Sequence, residues 1–206
     1  MANTTFSGPV RSENGFETVS KNAATGAITI TSGNKMANEA VGGAGIEGTA
    51  GVYVTQVERF KSDTTTGVNM VKTTIMIDLT GLNCGGTAGD IIGADGAGVA
   101  YIGRVTTANQ GVVFGVTMEC FEAPTTGDPD IDLHSATEGT GVEDTAIGSL
   151  TSTLIINGGD ATLGSRTVGN TIAADQYLYL TCGTSTAGTY DAGKLVITIL
   201  GYDVAS

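Results

Sequence analysis

A chain of 206 residues with 21 acidic against 9 basic side chains carries a net charge of −12. That balance removes the basic footprint on which nucleic-acid affinity rests and disfavours an anionic membrane surface, so neither partner is expected. A hydrophobic content of 40% and a mean hydropathy of +0.15 also exclude the low-hydrophobicity, high-charge kind of disorder.

Glycine numbers 32, proline 3 and tryptophan 0, a composition suited to short strands joined by tight turns, since glycine reaches positive φ without steric cost. The opening MANTTFSGPV has no basic stretch followed by an apolar one, and no run approaches the ~18 apolar residues that span a bilayer. The expected place of synthesis is therefore a cytoplasm. Cys84, Cys120 and Cys182 are widely spaced and fit no motif, so they are expected to be free thiols, with Cys120 and Cys182 buried in apolar strands.

In chain order, residues 1–15 read as an extended N-terminal arm. Phe6 and Val10 are its large apolar side chains, Pro9 holds Gly8 extended and Asn14-Gly15 signals a turn. Phe16–Lys21 and Ala27–Thr31 follow as short strands around a turn at 22–26. Ser32–Gly51 lacks a period and reads as loop. Gly51–Phe60 alternates as a strand. So does Asn69–Leu79, where Val71, Thr73, Ile75, Ile77 and Leu79 share one face. Thr80–Gly98 is expected to be a long glycine-rich loop. Val99–Thr106 and Val112–Glu122 are strands around a turn at Ala108–Gly111. Ala123–Asp130 is loop, Ile131–Ser135 a short strand, Ala136–Thr145 an acidic loop and Ser149–Asn157 a strand. Ala161–Ala174 is irregular.

The strongest signal lies in the last thirty residues. Gln176–Cys182 (QYLYLTC) and Lys194–Tyr202 (KLVITILGY) are dense in the residues that suit a pleated sheet. Leu195, Ile197 and Ile199 fall on one face of the second run and Val196, Thr198 and Leu200 on the other. Such a strand is expected at the centre of a sheet, covered on both sides. About ten strands, without sustained helical periodicity, define an all-β chain: a jelly-roll-like β-sandwich over 16–206 behind the arm at 1–15.

Four motifs resemble chemistry. Gly188–Lys194 (GTYDAGK) matches a phosphate-binding loop, but Leu195 replaces the Mg²⁺-holding hydroxyl and the segment feeds a strand rather than a helix. Gly43-Ala-Gly45-Ile-Glu-Gly48 matches GxGxxG without a strand before it or a helix after it, and reads as a turn. The segment Asp128-Pro-Asp130-Ile-Asp132-Leu-His134 would, if extended, place three carboxylates and the only histidine on one face. Its plain reading is a solvated acidic strand. The sharper ones are a calcium site on Asp128, Asp130 and Asp132, though without EF-hand spacing, or contact with a basic partner. Finally, acids such as Asp130, Asp132 or Glu138 could form a glycosidase-type pair, against which the scarcity of aromatics and the lack of tryptophan weigh. No cofactor is expected.

The stretch from Thr5 to Phe16, TFSGPVRSENGF, together with YLYLT at 177–181 and GTYDAGKLVITILGYD at 188–203, resembles small virion structural proteins of tailed bacteriophages, notably marine ones. The likeness is confined to the two ends of the chain. It implies a capsid decoration, or cement, protein: a jelly-roll-like domain, commonly a homotrimer, bound to the major capsid protein on the outside of the shell and without catalytic residues. On that reading Phe6, Pro9, Val10, Arg11 and Phe16 of the arm are the docking residues. The alternatives are a fibre, knob or receptor-binding module that offers its loops Thr80–Gly98 and Ala136–Thr145 to host glycans, and a carbohydrate-active jelly-roll enzyme.

Overall fold

The computed structural model describes residues 17–21, 28–33, 42–46, 51–60, 68–96 and 98–204, with side chains over 42–46, 70–96 and 98–202. The arm residues Phe6, Pro9, Val10, Arg11 and Phe16 lie outside the described residues. The chain divides into two compact units, Met1–Ala37 and Asn38–Ser206. In the first, β1 (Glu17–Lys21) and β2 (Ile28–Gly33) form an antiparallel pair with Val19 opposite Ile30.

The second unit is an all-β sandwich of antiparallel sheets. Its larger sheet has the order β10-β7-β13-β4-β3, built from β10 (Arg166–Gly169), β7 (Val112–Thr125), β13 (Ala192–Val204), β4 (Val68–Asp78) and β3 (Gly51–Phe60). The smaller has the order β6-β11-β8-β9, from β6 (Gly103–Val105), β11 (Gln176–Cys182), β8 (Ile131–Ala136) and β9 (Ser152–Ile156). A two-stranded ladder joins β5 (Asn83–Cys84) to β12 (Gly188–Thr189).

The C-terminal runs take the places their composition demands, but not beside each other. β13 is the middle strand of the larger sheet, paired with β4 along 194–204 and with β7 along most of its length. Leu195, Ile197 and Ile199 are buried in the core, while Val196 is buried and Thr198 and Leu200 half-buried on the outer face. β11 lies in the opposing sheet and is covered on both faces: Leu178, Leu180 and Cys182 on one, Tyr179 and Thr181 on the other. The core between the sheets is completed by Ile75 and Ile77 of β4, Val116 and Met118 of β7, and Ile131 and Leu133 of β8.

Three segments differ from their sequence reading. The expected loop Thr80–Gly98 is partly strand. It contains β5, and its Ile91 bridges Thr181 on the side of β11 beyond the end of β6, with the Ile92 N–H donating to the Leu180 carbonyl at 2.9 Å. Ile91 and Ile92 are fully buried, so the glycines punctuate a covered segment rather than a solvated one. The irregular stretch Ala161–Ala174 holds β10. It is too short and too exposed, with Val168 at 70% exposure, to show a period. The expected turn at Ala108–Gly111 is a one-turn helix, α1 (Thr107–Gln110). The Thr106 hydroxyl caps it by accepting from the Asn109 N–H at 3.2 Å, and Gly111 closes it at φ +66°.

The cysteine expectation is also corrected. Cys84 and Cys182, 98 residues apart, form a disulfide that ties β5 to the end of β11, and both are buried. Spacing could not reveal the pair, because the fold, not the sequence, brings the strands together. Cys120 is free and buried, as expected of a small hydrophobe, and burial pushes its thiol pKa up.

Candidate functional site

Asp128 is not part of a solvated strand. It precedes β8, is fully buried and is held by three donors: the Asp130 N–H at 3.0 Å, the Thr184 N–H at 2.7 Å and the Thr184 hydroxyl, which spans both carboxylate oxygens at 2.9 and 2.8 Å. Its backbone carbonyl accepts from the buried Tyr190 hydroxyl at 2.9 Å. Desolvation raises the Tyr190 pKa well above the usual tyrosine range, with the nearby Asp128 charge adding to it.

β8 begins at Ile131, so only Asp132 and His134 share its outward face, while Ile131, Leu133 and Ser135 turn to the core. Asp132 accepts from the Gly158 N–H at 2.9 Å. Asp130 has one buried carboxylate oxygen without a hydrogen-bond partner. Burial, then the charges of Asp132, Asp128 and Asp160, push its pKa up. His134 Nδ1 is likewise buried without a partner, and desolvation depresses its pKa against the opposing pull of Asp132. The ligand atoms of Asp128, Asp130 and Asp132 do not cluster. Among the described residues, the group of potential ligands that lie within 4.8 Å of one another is Cys84, Asp128 and Cys182, all buried.

The remaining motifs are absorbed by structure. Gly188–Thr189 is strand β12, and Lys194, inside β13, faces Glu122 and Asp78 as an ion pair rather than a phosphate. Gly43 and Gly45 donate to the carbonyls of Tyr101 and Val99 at 2.7 and 2.8 Å, a close approach in which a Cβ at Gly43 would sit 2.2 Å from the Val99 oxygen. Gly48 lies outside the described residues. Glu138 accepts from the Thr151 N–H at 2.9 Å and the Thr151 hydroxyl at 2.8 Å, which lower its pKa. The expected glycan loops are pinned to each other, the Ile91 N–H donating to the Thr145 carbonyl and the Asp144 N–H to the Ile91 carbonyl.

Two surfaces were not singled out from the sequence. The first is the outer face of the larger sheet. Register places Val112, Tyr202 and Met70 side by side across β7, β13 and β4, and the Phe114 ring lies 6.4 Å from that of Tyr202. Val112, Phe114 and Met70 are 52%, 45% and 40% exposed, a contiguous apolar patch and not scattered single residues. Lys194 faces Asp78 and Glu122, and Arg166 faces Glu119, at the end of this face away from the patch, while Lys72 stands two positions from Met70 and opposite Glu58 in register.

The second is a cleft of 510 Å³ where the two sheets part beside α1. Ser135 and Thr153, paired in register on β8 and β9, line it with Thr107, Thr137, Thr151 and Thr171. Its walls carry hydroxyls and no ionisable side chain.

The fold and these surfaces define an all-β sandwich protein with an exposed apolar sheet face. No family model matches the chain, and neither a curated protein nor a solved structure does. Among the described residues no helix is long and apolar enough to cross a membrane.

Proposed function

We propose that the chain is a non-catalytic virion protein, a decoration protein that binds the outer surface of a tailed-phage capsid shell and stabilises it. The observation that carries this reading is the outer face of the larger sheet. A contiguous apolar patch of Met70, Val112 and Phe114 in contact with solvent is the kind of surface that marks a protein interface. The resemblance of both chain ends to small virion structural proteins supplies the setting and names the major capsid protein as partner, with homotrimers on the shell. The test is co-sedimentation with shells purified from the phage-producing cells in which the chain is made. Wild-type chain co-sediments to saturation and Phe114→Asp does not. Wild-type chain left in the supernatant would overturn the reading.

A second reading, a knob or receptor-binding module for host glycans, is favoured by the hydroxyl-lined cleft, whose size falls in the range of small-molecule sites. Saturation-transfer NMR with neutral oligosaccharides tests it: transfer lost in Thr153→Val supports the cleft, and no transfer removes it.

A further inference from the structure

We propose that the reduced chain holds a soft divalent cation, of the zinc type, between the Cys84 and Cys182 thiolates and the Asp128 carboxylate. Two independent observations meet at this point. The first is that a carboxylate oxygen of Asp128, from the turn before β8, lies within 4.8 Å of both sulfurs that the disulfide joins between β5 and the end of β11. Two thiolates and a carboxylate are a donor set suited to zinc, with a fourth position for water.

The second is the state of Asp128. Its side chain is fully buried, yet among the described residues no lysine, arginine or histidine pairs with it; the ion pairs there join Arg104 to Asp175, Arg166 to Glu119, and Lys194 to Asp78 and Glu122. Buried carboxylates without a cationic neighbour are costly, and those that persist are hydrogen-bonded or bind metals. Asp128 has three donors, from Asp130 N–H, Thr184 N–H and the Thr184 hydroxyl. The Thr184 hydroxyl shares its single proton between the two oxygens, so three protons meet the roughly four lone-pair sites of the carboxylate and a cation can take the place of the shared contact on one oxygen. The same donors fix the orientation of the carboxylate, as the second shell of a metal site does.

The disulfide and the cation are alternatives on the same two sulfurs. Opening the disulfide with a phosphine in water gives two thiols and the phosphine oxide. Binding M²⁺ then forms two metal–sulfur bonds and releases both thiol protons, so affinity falls as the pH is lowered. Either state clamps β5 to β11, and the redox compartment selects between them.

The test uses the full chain, reduced with a phosphine and freed of it without air, then titrated with Co²⁺ as a spectroscopic stand-in for zinc. The expected result is one Co²⁺ per chain, with a thiolate-to-cobalt charge-transfer band and the visible absorption of a tetrahedral ion. The oxidised chain and Cys182→Ser show neither. Asp128→Asn keeps a thiolate band but binds at least tenfold more weakly. Reduced wild type that takes up no Co²⁺ would overturn the proposal, and an Asp128→Asn variant of unchanged affinity would remove the carboxylate from it. If reduction unfolds the chain, Co²⁺ restores the β-sheet circular dichroism; a chain that stays unfolded with Co²⁺ present also overturns it.

Discussion

Single atoms decide much of this fold. At Gly201, near the C-terminal end of β13, an added Cβ would lie 1.9 Å from the Gln110 carbonyl oxygen, because the strand passes beside α1 where the β13–β7 register shifts. Backbone cannot yield as a flexible side chain can, so Gly201→Ala is expected to cost about 1–3 kcal/mol in chemical denaturation. His134 makes stability depend on pH. Its folded pKa is depressed below 6.5 by burial, so between the two values the unfolded chain binds more protons than the folded one. Its contribution is present above the ordinary histidine value and is lost as pH falls through the folded value. The melting temperature should therefore drop between about pH 7 and about pH 5 by more in wild type than in His134→Gln. The sequence marked His134 as the one imidazole available, and it marked the acids around it. That Asp128 turns inward to Thr184 was not legible, because the contact spans 56 residues of chain.

At the scale of elements, alternation was readable wherever one face is buried and the strand is long. β3 starts and ends where its pattern says, β4 does so within a residue at each end, and β11 coincides with QYLYLTC. The signal failed where strands are two to four residues long, as in β5, β10 and β12, since no period can be counted over so few positions. Nor did it assign β11 and β13 to particular sheets. Both are apolar on two faces, and composition alone does not say that they belong to opposite layers. The disulfide between β5 and β11 closes a loop of 98 residues, and in the chain-entropy description such a crosslink contributes about 4–5 kcal/mol by restricting the unfolded chain. Cys84→Ser/Cys182→Ser, assayed without metal, is expected to lose 2–5 kcal/mol in a denaturant titration, at the range found for native crosslinks, about half a small domain's stability. Unchanged stability would mean that the covalent link adds nothing to the packing around it.

At the scale of the molecule, the sandwich has two unlike outer surfaces. The outer face of the smaller sheet is covered by its own chain: Ile91 and Ile92 lie along the edge of β11, and the Tyr179 hydroxyl donates to the Glu138 carbonyl at 2.8 Å while accepting from the Gly141 N–H. The larger sheet keeps Met70, Val112 and Phe114 in contact with solvent. The net charge of −12 leads to the expectation that nucleic acid and anionic membranes are not partners, but only the register of β7, β13 and β4 gathers the apolar residues into one patch. Because Phe114 is exposed, Phe114→Asp should leave the melting temperature within the range of ordinary surface substitutions, about 0.5 kcal/mol. Its effect should fall on association alone.

The most direct measurement is the amount of wild-type chain and of Phe114→Asp that co-sediments with capsid shells at increasing concentration. If the sheet face docks on a shell, wild type saturates at a fixed ratio to the major capsid protein, and the equally stable variant remains in the supernatant. Wild-type chain that never co-sediments, or a variant that binds as well as wild type, would contradict the role given to this face.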